Sequence, residues 1–148
     1  MMLTINVNDR FVVDALSHLM QHVTDMQPAM ASIGQELVTR ISNRFETQTD
    51  PMGHPWAQWA ESTKKSYPED GNGRILDRYG DMLDSLNFQA DSDSSKIGFG
   101  DPVAVFHEFS TRYMPGRQMI FDDPVAGTIS PADQKAIIDI VQGYLLSD

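Results

Sequence analysis

The sequence predicts an α+β protein in which several helices pack on a small, mostly antiparallel sheet. Three observations carry that prediction. Apolar residues recur every three or four positions within 11–23, 30–45 and 137–145, the spacing of amphipathic helices. Residues 87–91 and 96–100 read as two short strands around a polar turn, Ser92-Asp93-Ser94-Ser95. Residues 3–7 alternate Leu3, Ile5 and Val7 with Thr4 and Asn6, which predicts one further half-buried strand.

Asn8 and Asp9 are placed to cap the first helix, whose broad apolar face holds Phe11, Val12, Ala15, Leu16, Leu19, Met20 and Val23. Pro28 breaks that pattern and suits the first turn of a second helix. There Met30, Ile33, Leu37, Ile41 and Phe45 form a narrower stripe. Either the two helices pack as a hairpin, or the second reaches towards a neighbouring subunit. Residues 46–55 are loop-like, with Asp50, Pro51 and Gly53 as turn residues. Trp56 and Trp59, at i and i+3, share one face of an expected short helix. Residues 63–73 are polar, hold Pro68, Gly71 and Gly73, and form the expected mobile loop.

Leu76, Tyr79, Leu83 and Leu86 predict a helix leading into the hairpin. Asp101-Pro102 opens another helical run with Val103, Val105, Phe106 and Phe109. Pro115-Gly116 ends regular structure and releases an arm within residues 112–124. Ser130-Pro131-Ala132-Asp133 starts the last helix: serine as N-cap, proline in the first turn, aspartate against the dipole. Its apolar face is Ile137, Ile138, Val141, Tyr144 and Leu145.

A chain of 148 residues fits a single domain, 1–148, that buries roughly 68–70% of its unfolded surface. It has no cysteine, which excludes disulfides and thiolate metal sites and suits a reducing cytoplasm. Twenty-one acids against eleven Lys and Arg give a net charge of −10, which repels nucleic acid over most of the surface. No apolar run approaches the ~18–20 residues that span a bilayer. The first residues lack the basic and apolar regions of a signal peptide. The expectation is a soluble protein made inside the cell, with no membrane partner.

The residues that suggest chemistry have plainer readings. His18 and His22, one turn apart with Asp14 before them, have the spacing of a metal pair but lack a third ligand nearby. His107-Glu108 with Asp122 and Asp123 resembles acid/base machinery without a nucleophile or phosphate loop, so packing on a helix is the default. The run 91–95 is too short for a calcium loop. Gly98-Phe99-Gly100 lacks the third glycine and the context of a dinucleotide site, and Gly71 and Gly73 read as turns. No catalytic residue, metal site or cofactor is expected. The arm carries Arg112, Tyr113, Arg117, Met119, Ile120 and Phe121, the residue types that interface cores collect. With Trp56 and Trp59 these are the candidate subunit or partner contacts. The other reading of the arm is a loop folded back on its own core.

Motifs in fixed order then identify a resemblance. Arg44-Phe45, Asp50-Pro51-x-Gly53, Trp56 and Thr63 are followed by Ile75-Leu76 with Gly80 and Leu83. Ile97-Gly98, the run Val103-Ala104-x-x-His107-Glu108-Phe109 and Pro115-x-Arg117 follow, before the C-terminal helix. Across residues 33–146 the chain resembles the phage virion morphogenesis proteins, the tail-completion proteins of contractile-tailed and Mu-like phages. Gln118 stands where the arm of that family tends to carry a second proline. The resemblance implies a structural protein of the tail or neck, at the head-proximal end, assembled as a ring of about six copies without catalysis.

Expected partners are therefore other copies, tail tube or sheath proteins, and head-completion proteins, in a virion built in the host cytoplasm. DNA would pass an acidic lumen without sequence-specific binding. Arg112 and Arg117 would meet acids of the adjoining subunit, and the hairpin edge would pair with a neighbour's residues 3–7 or its arm. The alternatives from other classes are a hydrolase-like enzyme using His107 and an adaptor binding through Trp56 and Trp59.

Overall fold

The computed structural model describes residues 10–69 and 71–147. The expected strand at 3–7 and its cap at Asn8-Asp9 lie outside these residues, as do the side chains of Phe11 and Val12. The elements in order are α1 (Arg10–Thr24), α2 (Gln27–Thr47), α3 (Glu61–Ser66), α4 (Asp81–Asp84), β1 (Leu86–Ala90), β2 (Ser95–Phe99), α5 (Ala104–Phe109) and α6 (Pro131–Leu145). Helices packed on a two-stranded antiparallel sheet make an α+β fold, as the sequence predicts.

Helix α2 is the axis of the structure. Pro28 sits in its first turn, and Gln48 closes it in the left-handed conformation. Ala29, Ile33, Gly34, Ile41, Arg44 and Phe45 are buried along it, close to the stripe read from the sequence. One side covers the β1–β2 hairpin, and the other meets α6. The hairpin register runs from Leu86↔Phe99 to Ala90↔Ser95, within one residue of the predicted strands. Asp91 Oδ1 accepts the backbone N–H groups of Asp93 and Ser94, so the polar turn bonds its own backbone.

Gly34 lets the hairpin approach. A Cβ at that position would lie 2.3 Å from Phe88 Cδ2 of β1, well inside contact distance. The core beneath is Ile41, Phe45, Trp56, Ile75, Met82, Ala104 and Met119. Phe45 meets Trp56 edge-on, with ring centroids 5.4 Å apart at 83°.

Two predicted helices take another form. Trp56 and Trp59 lie in chain without regular secondary structure, and the helix begins only at Glu61. Trp56 N–H instead bonds Gln48 O at 2.9 Å, which anchors the segment beside the end of α2. The helix expected across Leu76, Tyr79, Leu83 and Leu86 shrinks to the single turn α4. Leu76 and Gly80 have φ of 64° and 89°, outside helical geometry. Asp77, 1% exposed, holds this turn by accepting from Asn72 and Arg74. Gln48 Oε1 accepts the Ile75 N–H at 2.9 Å, which ties the start of this segment to the end of α2. Helical spacing of apolar residues is thus overridden by a buried polar knot. In the loop expected at 63–73, residues up to Ser66 are helical.

Helix α1 rests on the end of α6. His18 Nε2 and His22 Nδ1 lie 2.9 Å and 3.4 Å from the carbonyls of Ser147 and Leu145, and Tyr144 donates to Asp25 O. Of the expected apolar face, Leu16, Met20 and Val23 are more than half exposed. Ser130 caps α6 as predicted, accepting the Asp133 N–H at 3.2 Å. Ile138, assigned to its apolar face, is exposed.

Gly34→Ala tests the packing of α2 on the hairpin. Helix propensity favours alanine by about 1 kcal/mol, but overpacking against Phe88 costs about 1–3 kcal/mol. A lower Tm in thermal denaturation followed by circular dichroism is expected, about 2–4 °C for each net kcal/mol. A Tm at or above wild type would mean that Phe88 moves aside freely.

Candidate assembly surface

Helix α5 is short, and its side chains are disposed opposite to the usual amphipathic pattern. Ala104 and Glu108, one turn apart, face inward at 7% and 4% exposed. Val103, Val105, Phe106 and Phe109, around and on the helix, are each about half exposed. The cause is Glu108. Its Oε2 accepts Met119 N–H at 2.7 Å, its Oε1 accepts Phe121 N–H at 2.7 Å, and both oxygens lie near Ile120 N–H. One carboxylate thus takes three successive backbone donors of the arm. Burial pushes this carboxyl up, against the three N–H groups and the Arg44 charge that draw it down.

The arm is tied at further points. Arg44 Nη1 donates to Met119 O at 2.7 Å, while its Nη2 bonds Asp133 at 2.5 Å. Arg40 Nε completes the set on the other oxygen of Asp133 at 2.7 Å. Arg117 N–H bonds His107 O, and its guanidinium donates to Ala57 O and Gln58 O at 2.8 Å and 3.0 Å. Trp56 Nε1 donates to Gln118 O at 2.9 Å. The arm from Arg117 to Phe121 therefore folds back on its own core, the second of the two readings open from sequence.

This places each candidate contact. Trp56, Arg117 and Met119 are buried within the chain itself, and Trp59, Ile120 and Phe121 are half-buried. Arg112 and Tyr113 are exposed, Tyr113 at 86%, with the Arg112 guanidinium over the Tyr113 ring. His18 and His22 serve as the α1–α6 contact, and among the described residues no cluster of three metal-ligating side chains forms.

Beside the arm lies an open cavity of about 620 Å³, lined by Trp59, Tyr67, Arg78, His107, Tyr113 and Arg117 among others. Two buried ring nitrogens on its wall, Trp59 Nε1 and His107 Nδ1, have no partner in the structure. Burial pushes the His107 imidazole below its ordinary 6.5; the Arg117 charge adds to this and Asp101 opposes it. Sequence reasoning missed this cavity because it is assembled from turns at 57–60, 75–82 and 113–117. It weighed Glu108 only as a partner of His107; the legible signal was a glutamate on an apolar helix just before an apolar arm.

These elements define an α+β chain whose buried polar groups hold an arm in place while an apolar helix face is turned outward. A family model matches residues 7–146, nearly the whole chain, and on that match the protein belongs to the phage virion morphogenesis family. Its role lies in the building of phage particles. No curated protein and no solved structure gives a significant match.

Two measurements test the site. Glu108→Gln keeps one acceptor oxygen but sets an amide N–H₂ against a backbone N–H, so urea denaturation is expected to show a loss of about 1–3 kcal/mol. An unchanged midpoint would mean the arm is held by other means. His107 stays neutral in the fold below the pH at which the unfolded chain takes up a proton. As pH falls through about 6.5, the unfolded state binds more protons and stability drops. His107→Gln is expected to remove part of that drop between about pH 7.5 and pH 5.5. Parallel profiles for both proteins would contradict it.

Proposed function

We propose that the protein completes the head-proximal end of a phage tail as a ring of copies that joins tail to head, in a structural rather than catalytic role. Membership of the morphogenesis family supports the setting. The observation that carries the reading is the outward apolar face of α5, with Val105, Phe106 and Phe109 half exposed and Tyr113 beyond them. Contiguous exposed apolar surface marks interaction sites, and a ring needs a heterologous interface that closes on itself. Its partners are further copies, tail tube or sheath proteins, and head-completion proteins. The acidic excess leaves DNA free to pass a lumen. A hydrolase using His107 is less well supported: Glu108 beside it is buried and committed to the backbone of the arm.

Phe106→Asp and Phe109→Asp test this. Both side chains are exposed enough that folding should survive, with stability within about 0.5 kcal/mol of wild type. In a complementation assay each variant is expected to leave tails unjoined to heads, seen by electron microscopy. Full complementation by both variants would sink the proposal that this face assembles.

A further inference from the structure

Among the described residues the sheet has only two strands, so its outer edges are open. Its bonding pattern shows which groups stand on the β2 edge. Asp91 N–H bonds Ser94 O near the tip, and Gly100 N–H bonds Ser85 O at the far end. Antiparallel pairs alternate between bonded and unbonded. The register therefore turns the backbone N–H and C=O groups of Ser95, Ile97 and Phe99 away from β1. No hydrogen bond from the described residues reaches them there. Such a row of unpaired groups is a template for a further strand.

A groove of about 360 Å³ runs beside this edge. Leu37 of α2, Ile97 of β2, Ile120 and Phe121 of the arm and Ile129 before α6 line it, all half-buried. Ser95 Oγ, on the same wall, is buried without a partner. An open edge above an apolar trough suits an extended segment, which bonds through its backbone and sets alternate side chains into the trough. Residues 3–7 have that pattern: Leu3, Ile5 and Val7 alternate with Thr4 and Asn6, without charge or proline, over the five-residue length of β2. The arm, the other apolar segment expected to pair there, is committed to Arg44, Trp56 and Glu108 of its own copy.

The fold decides which copy supplies the segment. His18, His22 and Asp25 meet Ser147, Leu145 and Tyr144 in turn, so α1 runs antiparallel to α6 and its N-terminal end points past the end of that helix. The groove lies at the other end of α6, beside Asp133. The 15 residues of α6 put about 22 Å between the two ends. The steps from Arg10 back to Val7 span about 10 Å at most. A chain therefore does not reach its own groove with these residues. We propose that residues 3–7 of one copy add as a third strand to the β2 edge of the next, with Leu3, Ile5 and Val7 in the groove over α2. This rests on the ring reading above and names the link between its copies. Segment and edge are different surfaces, so the contact is heterologous, as a closing ring requires.

The lack of cysteine makes disulfide trapping clean. On the added strand Thr4 and Asn6 face outward beside Lys96, which is exposed. Full-length Thr4→Cys/Lys96→Cys or Asn6→Cys/Lys96→Cys protein, oxidised in tails assembled in complemented cells, is expected to give a ladder of linked copies on non-reducing gels. The same first sites paired with Gln89→Cys, exposed on β1 opposite Lys96 and one strand further away, should give far less. In parallel, Ile5→Asp should abolish complementation, and Asn6→Asp should leave it near wild type. No ladder from either Lys96 pair, equal ladders from the Gln89 pairs, or a link formed only within one copy overturns the proposal, as does full complementation by Ile5→Asp. If electron microscopy still shows a ring in those particles, only this link fails; if no ring is present, the ring reading fails with it.

Discussion

One buried carboxylate sets the arrangement of the second half of the molecule. Glu108 is desolvated, which for a lone ion costs several kcal/mol even after relaxation. Against this stand three backbone N–H groups, with charge-assisted bonds of about 1.5–3 kcal/mol each. The two sides are of similar size, so the net gain in stability is modest. What the contact secures is geometry. With Glu108 turned inward to hold Met119, Ile120 and Phe121, the rest of α5 must present Val105, Phe106 and Phe109 to the outside.

The same logic runs through the remaining polar interior. Arg44 joins α2, the arm and α6 in one set of bonds, through Met119 O and Asp133. Asp77 does this for the turns before the hairpin, and Arg117 for the segment after Trp56. Regular structure covers little of residues 48–85 and 110–130. Buried side chains therefore do the work that helix and sheet ladders do elsewhere. An irregular but well-bonded surface of this kind can carry a cavity and an outward apolar helix side by side.

The sequence was most legible where one period dominates. The stripe of α2, the hairpin with its polar turn and the Ser130-Pro131 helix start are each local signals, and each appears in the fold. The resemblance to the virion morphogenesis proteins, read from ordered motifs, agrees with the family match. Legibility failed where distant polar groups compete with local pattern. Leu76 to Leu86 has helical spacing, but Asp77 is drawn to the side chains of Asn72 and Arg74, and the backbone leaves helical geometry at Leu76 and Gly80. Trp56 could not announce that its indole would reach Gln118, 62 residues away. For the arm, composition suited an interface and a core equally. The burial of Arg117 and Met119 depends on Ala57, Gln58 and Glu108, none of which marks itself as a partner.

The central claim is that Glu108 fixes the arm and thereby the outward face of α5. Amide hydrogen exchange of the isolated full chain tests it most directly. The N–H groups of Met119, Ile120 and Phe121 are expected to exchange as slowly as the core amides of α2, and to become fast together in Glu108→Ala while α2 stays protected. Exchange of these three amides in the wild type as fast as that of the exposed turn at 125–127 would contradict the account.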